Sequence, residues 1–308
     1  MRIILVLFIF SYMSLAISAQ DRKIKVLIVD GYGNHDWQKT TKLVKGILDS
    51  AQLFTIDVST VPDDTNRAEF KSWHPKFKNY DVVIQTCNDI NNSGPLWTES
   101  VRRNFEKYVR KGGGVLVLHS ANNAFADWPE YNNMIGLGWR NKDYGYAFRV
   151  NEDGSLDTIP PGQGKNTSHG AREDRVIHII GKDPIHKGMP EEWRTPSIEV
   201  YTYARGPAKN VTVLSWAEDP VEHDNWPVEW IVRYGKGRIY TSTFGHVWPK
   251  ESDPVNMRCA GFQTVLVRAI QWLANQPVTY PIPVDFPTKD NISLRVLTIV
   301  NQDLPESK

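Results

Sequence analysis

The chain has 308 residues, and its 41% hydrophobic content is sufficient to bury one large core. Its 36 basic and 35 acidic residues are spread evenly and leave a formal net charge of +1, so nucleic acid and other polyanions are not expected as partners. The two cysteines, Cys87 and Cys259, exclude a disulfide framework but leave a single bridge open.

The first 19 residues have the pattern of an export signal. Arg2 precedes an apolar run from Ile3 to Phe10, and small residues follow as far as Ala19. A membrane anchor is the alternative, but the run is much shorter than the roughly 20 residues that cross a bilayer. We therefore expect a signal peptide at 1–19, one domain at 20–285 and a C-terminal tail at 286–308, in a secreted or periplasmic protein without a membrane span.

The first half of the mature chain alternates between strand-like and helix-like segments. Ile24 to Asp30 is an apolar run typical of a buried strand, and helical spacing follows it from Leu43 to Leu48, with Asp36 or Thr40 as the cap. The same reasoning predicts strands at 54–59, 81–86 and 115–119 and a helix over 101–109. This alternation predicts an α/β fold, a three-layer, doubly wound and mostly parallel sheet of flavodoxin-like type.

The second half contains a long stretch rich in turn-forming residues. Residues 121–196 hold many Gly, Asn, Asp and Pro, which predicts a long irregular insertion that covers or lines a site. Periodicity returns within this stretch with a strand expected at 175–180. It continues with strands at 211–217, 228–235 and 238–245, a helix at 255–274 and a tail that packs over the body. The last two strands, joined through Gly235 and Gly237, are expected to form a tight pair.

Three predicted strands run directly into loops that carry a histidine. His35 follows the first strand, His119 ends the fourth, and His246 ends the last. The carboxyl ends of parallel strands share one edge of a sheet, so these side chains are expected to meet in one crevice. His169, within the insertion, is a candidate for a fourth member because a loop could carry it over that crevice.

Several ordered motifs also resemble a known family. They are VLIVDGYGNHDWQKTT, KGGGVLVLHSANNAFADWPEYNNMIG, SHG, DPIHKGMP and GKGRIYTSTFGH. In this order they resemble the trehalose-utilisation ThuA-like family over roughly Ile24 to Ala274. The resemblance implies a fold like that of the class I glutamine amidotransferases, and a part in the catabolism of disaccharides and 3-keto-glycosides.

The sequence departs from the amidotransferases at the nucleophile. Those enzymes place a cysteine on a strained strand-to-helix turn. Here the corresponding residues are Leu118, His119, Ser120 and Ala121, so ammonia release from glutamine is not expected. Ser120 lacks the flanking G-x-S-x-G pattern, which also disfavours a serine hydrolase.

The candidate site combines histidines with polar and aromatic neighbours. The predicted catalytic residues are His119, His246, His35 and His169. The predicted substrate-binding residues are Asp36, Trp37, Asn122, Asn123, Trp139, Arg140, Glu229 and Trp248, with Trp128 as an alternative stacking partner. The same four histidines, oriented by Asp36 or Glu229, could instead hold a divalent metal such as Zn²⁺, although no H-E-x-x-H signature is present.

These residues suit chemistry on a small carbohydrate. A ketosugar has acidic hydrogens next to its carbonyl, so a histidine pair could drive isomerisation or elimination, or assist hydrolysis, with Asn122, Asn123 or Arg140 stabilising the oxyanion. A non-catalytic carbohydrate-binding protein is the alternative. No G-x-G-x-x-G or P-loop motif indicates a nucleotide cofactor, and a homo-oligomer remains open.

Overall fold

The structure of the protein, a computed structural model, describes residues 22–90 and 96–296; the predicted signal peptide lies outside them. The strands are β1 (Ile24–Asp30), β2 (Phe54–Thr60), β3 (Val82–Gln85), β4 (Gly114–Leu118), β5 (Ala147–Val150), β6 (Leu156–Ile159), β7 (Ser168–His169), β8 (Glu173–Ile179), β9 (Glu192–Ile198), β10 (Tyr201–Thr202), β11 (Val211–Glu218), β12 (Asn225–Tyr234) and β13 (Gly237–Ser242). The helices are α1 (Trp37–Ala51), α2 (Ala68–Ser72), α3 (Glu99–Arg110), α4 (Pro129–Ile135), α5 (Val255–Arg258) and α6 (Ala260–Leu273).

Nine of these strands form one sheet in the order β2-β1-β3-β4-β13-β12-β11-β8-β9. The pairings from β2 to β13 are parallel, and those from β13 to β9 are antiparallel. Within this sheet β12 and β8 therefore run against the other strands. The predicted mostly parallel α/β sheet is confirmed, and the predicted tight pair is the β12–β13 hairpin.

Alternate residues of β1 face helices on opposite sides of the sheet, so the sheet is the middle one of three layers. Val26 and Ile28 pack with α1 and α6 on one face, whereas Leu27 and Val29 pack with α3 and α4 on the other. A strand buried on both faces needs a continuous apolar run, because each of its side chains meets a hydrophobic layer. Within the described residues, no helix is long and apolar enough to cross a membrane.

The stretch at 121–196 is more ordered than the sequence indicates. It contains β8, which confirms the strand predicted at 175–180, and in addition α4, the β5–β6 hairpin, β7 and most of β9. Most side chains of β6 are exposed, so its sequence shows no alternation between core and solvent. The prediction of an irregular insertion is therefore corrected to a set of short strands joined by turns.

The predicted helix at 255–274 is interrupted at Cys259. This residue has extended backbone angles and forms a β-bridge with Leu294, and the Ala260 amide donates to the Ser293 carbonyl at 2.9 Å. The C-terminal tail therefore pairs with backbone groups that would form hydrogen bonds within the helix if the helix were continuous. Cys87 and Cys259 are both buried and free, which settles the open question of a bridge.

Candidate active site

Three loops at the carboxyl edge of the sheet bring His35, His119 and His246 together. These loops follow β1, β4 and β13, which all run in the same direction. The ring centroid of His35 lies 5.0 Å from that of His119 and 4.8 Å from that of His246, and the last two are 5.0 Å apart. The structure therefore brings these three predicted residues into one crevice.

The backbone at two of these positions is in the left-handed region. His119 has a φ of 45°, an uncommon value for a residue other than glycine. Gly245, which precedes His246, has a φ of 96°, and an added Cβ would lie 2.8 Å from a methyl carbon of Leu118. Two sharp turns thus direct adjacent imidazoles into the crevice rather than into the core.

Glu199 occupies the centre of the histidine group, although the sequence pattern did not indicate it. Its carboxylate oxygens lie 3.2 Å from Nε2 of His246, 3.5 Å from Nε2 of His119 and 3.6 Å from Nε2 of His169. The residue is buried. It directly follows β9, whose carboxyl end lies at the same sheet edge, so recognising that strand would have indicated Glu199.

Hydrogen bonds fix the ring protons of three histidines. The Nδ1 atom of His35 donates to Asn34 Oδ1 at 2.8 Å, that of His119 donates to the Thr243 carbonyl at 2.6 Å, and that of His169 donates to the Gly170 carbonyl at 2.6 Å. In the neutral ring, Nε2 then carries the free lone pair. For His119 and His169 that lone pair lies at the nitrogen that faces Glu199, and in His119 the Tyr201 hydroxyl is also 3.3 Å from it.

His246 has the opposite arrangement. Arg172 Nη1 lies 2.6 Å from its Nδ1 and also contacts the Glu251 carboxylate at 3.1 Å. A guanidinium can only donate, so Nδ1 accepts and the proton of the neutral ring is on Nε2. This N–H points towards Glu199 and the crevice.

Burial keeps the imidazoles of His35, His119 and His246 neutral. It lowers the pKa of His35 to about 4, with His169 and Arg172 as further causes, and it holds the pKa of His119 well below its usual value. Burial, together with Arg172 and the neighbouring histidines, lowers the pKa of His246 to about 3. Burial also raises the pKa of Glu199. The rings of His35, His119 and His246 therefore carry no positive charge near neutral pH, and the cation beside them is the Arg172 guanidinium.

Aromatic side chains flank the histidines on two sides. The ring of Trp248 lies 5.1 Å from His35 and 5.7 Å from His246, and 48% of the residue is exposed. Trp139 lies 5.6 Å from His169 and 4.9 Å from Tyr201. Exposed or half-buried aromatic faces beside polar groups are suited to the apolar face of a sugar ring. His169 and Tyr201 are paired residues of the β7–β10 ladder, so the insertion carries His169 to the crevice.

Two of the predicted oxyanion groups are committed to the fold. The Arg140 guanidinium donates to the carbonyls of Asn122, Asn123 and Ala124 and to the Asn132 side chain, at 2.7–3.4 Å. The Asn122 amide donates to the Leu137 carbonyl at 2.8 Å. Arg140 and Asn122 therefore shape the loop after β4, and the prediction that they bind substrate is corrected because their donors are used internally.

Glu229 is also corrected as a crevice residue. It is completely buried in the sheet, where it pairs with His186 and accepts hydrogen bonds from Ser215 and Tyr240. Trp128 is likewise buried, in the aromatic cluster around Phe105. The carboxylate of Glu229 and the ring of Trp128 are therefore engaged by other residues inside the protein.

The remaining predicted residues lie around the start of α1 and the turn after β4. Asp36 caps α1 by accepting from the Lys39 amide at 2.9 Å. Trp37 lines the small cavity between His35 and His119. The carbonyl of Asn123 accepts from Arg140 at 3.0 Å, and substrate binding by its side chain stays a prediction.

The donor set is chemically suited to a cation. One ligating atom each from His35, His119, His246 and Glu199 all lie within 4.8 Å of one another. Neutral imidazole nitrogens with one carboxylate are typical ligands of Zn²⁺ and related divalent ions. The same atoms can also donate or accept protons, so the geometry supports acid–base chemistry as well.

Comparison with known proteins gives matches over most of the chain. The family model ThuA, described as trehalose utilisation, matches residues 25–273. A ThuA-like protein from Parabacteroides merdae ATCC 43184 is 33% identical, with 89% of this chain and 98% of that chain covered and a TM-score of 0.81. A ThuA-like protein from Bacteroides uniformis ATCC 8492 is 20% identical, covers 81% and 91%, and has a TM-score of 0.52. A glutamine amidotransferase from Thermotoga maritima is 11% identical, covers 72% and 76%, and has a TM-score of 0.38. No curated protein matches the chain.

Proposed function

Since the chain belongs to the ThuA family of trehalose-utilisation proteins, whose function is carbohydrate-related, we propose that it is a secreted enzyme acting on 3-keto-glycosides. The observation that carries this proposal is the group of histidines around Glu199, flanked by two tryptophans. Neutral imidazoles can exchange protons and hydrogen-bond to oxygen, and aromatic rings can hold a sugar.

The reaction that suits these groups is an elimination. In a 3-keto-glycoside the carbon between the ketone and the anomeric carbon carries an acidic hydrogen. A neutral imidazole takes that proton, and the electron pair moves to the ketone oxygen to give an enolate. When the ketone re-forms, the bond between the anomeric carbon and the glycosidic oxygen breaks, and that oxygen takes the proton from the imidazolium. The products are an alcohol and an unsaturated ketosugar.

Two histidines supply the chemical groups that this reaction needs. His169 has a free lone pair on Nε2, and its side chain is 35% exposed, so it can take the proton and exchange it with water. His246 presents an N–H, and because its pKa is low it stays neutral and stabilises the enolate oxygen as a hydrogen-bond donor. This role replaces the one predicted for Arg140 and Asn122.

Replacement of Trp248 with alanine is expected to raise KM for a 3-keto-glycoside by about 2- to 10-fold, the effect of one aromatic contact. The value of kcat should change little, because the ring holds substrate without touching the reacting atoms. Steady-state kinetics measure both constants. Tyr80→Ala, at the amino edge of the sheet, is the matched control and should leave both unchanged. An unchanged KM in Trp248→Ala would exclude this tryptophan from the sugar site.

The proposed function is tested with 3-keto-trehalose, methyl 3-keto-glucoside and their unoxidised parents. In D₂O, NMR should show exchange of the hydrogen next to the ketone, followed by release of the alcohol, with the ketosugars alone. Calorimetric titration measures affinity separately. Binding without exchange or product would identify the non-catalytic carbohydrate-binding protein, and the absence of both binding and turnover would contradict the carbohydrate proposal for this crevice.

A further inference from the structure

We propose that His35, His119 and Glu199 are the three protein ligands of one divalent cation of the Zn²⁺ class, with an open coordination position beside His246. Three protein ligands and one open position are the usual arrangement of a catalytic zinc ion. The ligand set combines two imidazole nitrogens with one carboxylate oxygen, which favours Zn²⁺ and related transition metals over Mg²⁺ or Ca²⁺.

The spacing of the donor atoms suits such an ion. Bonds of about 2.1 Å in tetrahedral geometry separate ligand atoms by about 3.4 Å. His119 Nε2 lies 3.5 Å from Glu199 Oε2, and the donor atoms of the whole group lie within 4.8 Å of one another. Side-chain movements of about an ångström would therefore close the site.

The hydrogen bonds behind the rings prepare His35 and His119 as ligands. Each donates its Nδ1 proton to a neutral oxygen, which leaves Nε2 unprotonated. Asn34 Oδ1, the acceptor for His35, also receives a hydrogen bond from Asn88 at 3.0 Å and is thereby held in place. Metal-bound histidines usually have such a partner on the second ring nitrogen, because it fixes the tautomer and the ring orientation.

Glu199 supplies the negative charge of the site. It is buried, and three imidazole Nε2 atoms lie 3.2–3.6 Å from its oxygens. The charge of Arg172 favours the Glu199 carboxylate, but the same guanidinium also pairs with Glu251, so Glu199 is only partly compensated, and burial of an uncompensated charge is costly. A bound cation would provide the missing charge.

His246 differs from the ligands because Arg172 occupies the lone pair on its Nδ1 at 2.6 Å. Its Nε2 therefore carries a proton and cannot coordinate a metal in this tautomer. That N–H instead lies where it can hydrogen-bond to an oxygen bound at the open position. The assignment of a ketone oxygen to that position rests on the proposed function, whereas binding of the ion does not.

Metal binding can be measured without any sugar. The full-length mature protein is stripped with EDTA and titrated with ZnCl₂, MnCl₂ or MgCl₂, with bound metal measured by mass spectrometry and Tm by thermal unfolding. We expect one Zn²⁺ per chain, a higher Tm with Zn²⁺, and weaker or no binding of Mg²⁺. His35→Ala, His119→Asn and Glu199→Gln should each raise the Kd by at least about 100-fold.

Two variants make the ligand assignment falsifiable. His246→Gln and the remote, exposed His74→Ala should both keep one Zn²⁺ per chain with a similar Kd. Circular dichroism of each metal-free variant separates loss of binding from loss of folding, and Glu199→Gln keeps the shape of the side chain. Less than one Zn²⁺ per chain in folded wild-type protein, or retention of Zn²⁺ by all three ligand variants, would overturn the proposed site. Loss of Zn²⁺ in His246→Gln would overturn the assignment of His246 as a residue that does not bind the metal. One tightly bound Zn²⁺ with no turnover of ketosugars would refute the proposed function alone.

Discussion

Replacement of His246 with alanine is expected to lower kcat for a 3-keto-glycoside by about 10²- to 10³-fold, the effect of removing one donor to a developing oxyanion. The structure gives the reason. Arg172 holds Nδ1 as an acceptor, so Nε2 carries a proton, and burial with the nearby charge of Arg172 lowers the pKa to about 3. The ring is therefore a neutral, oriented hydrogen-bond donor throughout the physiological pH range.

A conservative variant distinguishes this role from a packing role. In His246→Gln the side-chain amide can place an N–H near the position of Nε2, so kcat should recover about 10-fold relative to His246→Ala. NMR assays of product formation, stopped or continuous, measure kcat, and calorimetric titration measures the affinity for the ketosugar. His74→Ala is the control for removal of a histidine elsewhere. Equal activity in His246→Ala and wild type, or equal loss in the alanine and glutamine variants, would argue against hydrogen-bond donation.

Most of the parallel part of the fold could be predicted because its inner strands are buried on both faces. β1 and β4 are apolar runs, and β13 (GRIYTS) is recognised by its β-branched and aromatic residues; each of the three is followed by a histidine at the sheet edge. Strand direction alone places the loops that carry His35, His119 and His246 at one edge of the sheet. The turns at His119 and Gly245, which the sequence pattern does not specify, then direct the rings into the crevice.

The other half of the crevice could not be found in this way. Glu199 and Arg172 flank β9 and β8, and β9 contains Pro196 and charged residues that hide its strand character. His169 was identified from its loop, but its contact with Glu199 depends on the β7–β10 ladder, which has only two residues per strand. Such short pairings depend on tertiary packing more than on local pattern.

Glu229 illustrates a different limit. In the sequence it is a carboxylate within an apolar strand, which led to its prediction as a site residue. Its actual partner, His186, lies in the turn between β8 and β9, and both side chains are almost completely buried. A sequence pattern does not show which distant residue neutralises a buried charge. The pair has a structural role instead, and that role can be measured.

The His186 imidazole connects two carboxylates inside the protein. Its Nδ1 lies 2.8 Å from Asp183 Oδ2 and its Nε2 lies 3.2 Å from Glu229 Oε2. Burial lowers the pKa of His186, but the charge of Glu229 and the hydrogen bonds to Asp183 and Glu229 outweigh burial and raise the pKa to about 10. The ring is therefore an imidazolium that neutralises Glu229.

Replacement of His186 with leucine is expected to lower the free energy of unfolding by about 3–5 kcal/mol, because it leaves Glu229 as an uncompensated buried charge. Urea denaturation at pH 6.5 measures the loss. The double variant His186→Leu/Glu229→Gln should recover much of it, since the amide removes the charge and can still accept from Tyr240. A single variant as stable as wild type, or a double variant no better than the single one, would contradict the ion pair as the cause.

The same pair makes stability depend on pH. The pKa of His186 is about 10 in the folded protein and about 6.5 in the unfolded chain, so the folded state binds the proton more tightly. Its stabilising contribution is complete below pH of about 6.5, decreases above that value because the unfolded chain loses the proton first, and is lost as the pH passes about 10. Wild-type protein should therefore lose stability between these values, and His186→Leu should show a smaller slope, in urea denaturation at pH 6.5, 8 and 9.5. Equal slopes in the two proteins would show that His186 is not the group that retains its proton in the folded state.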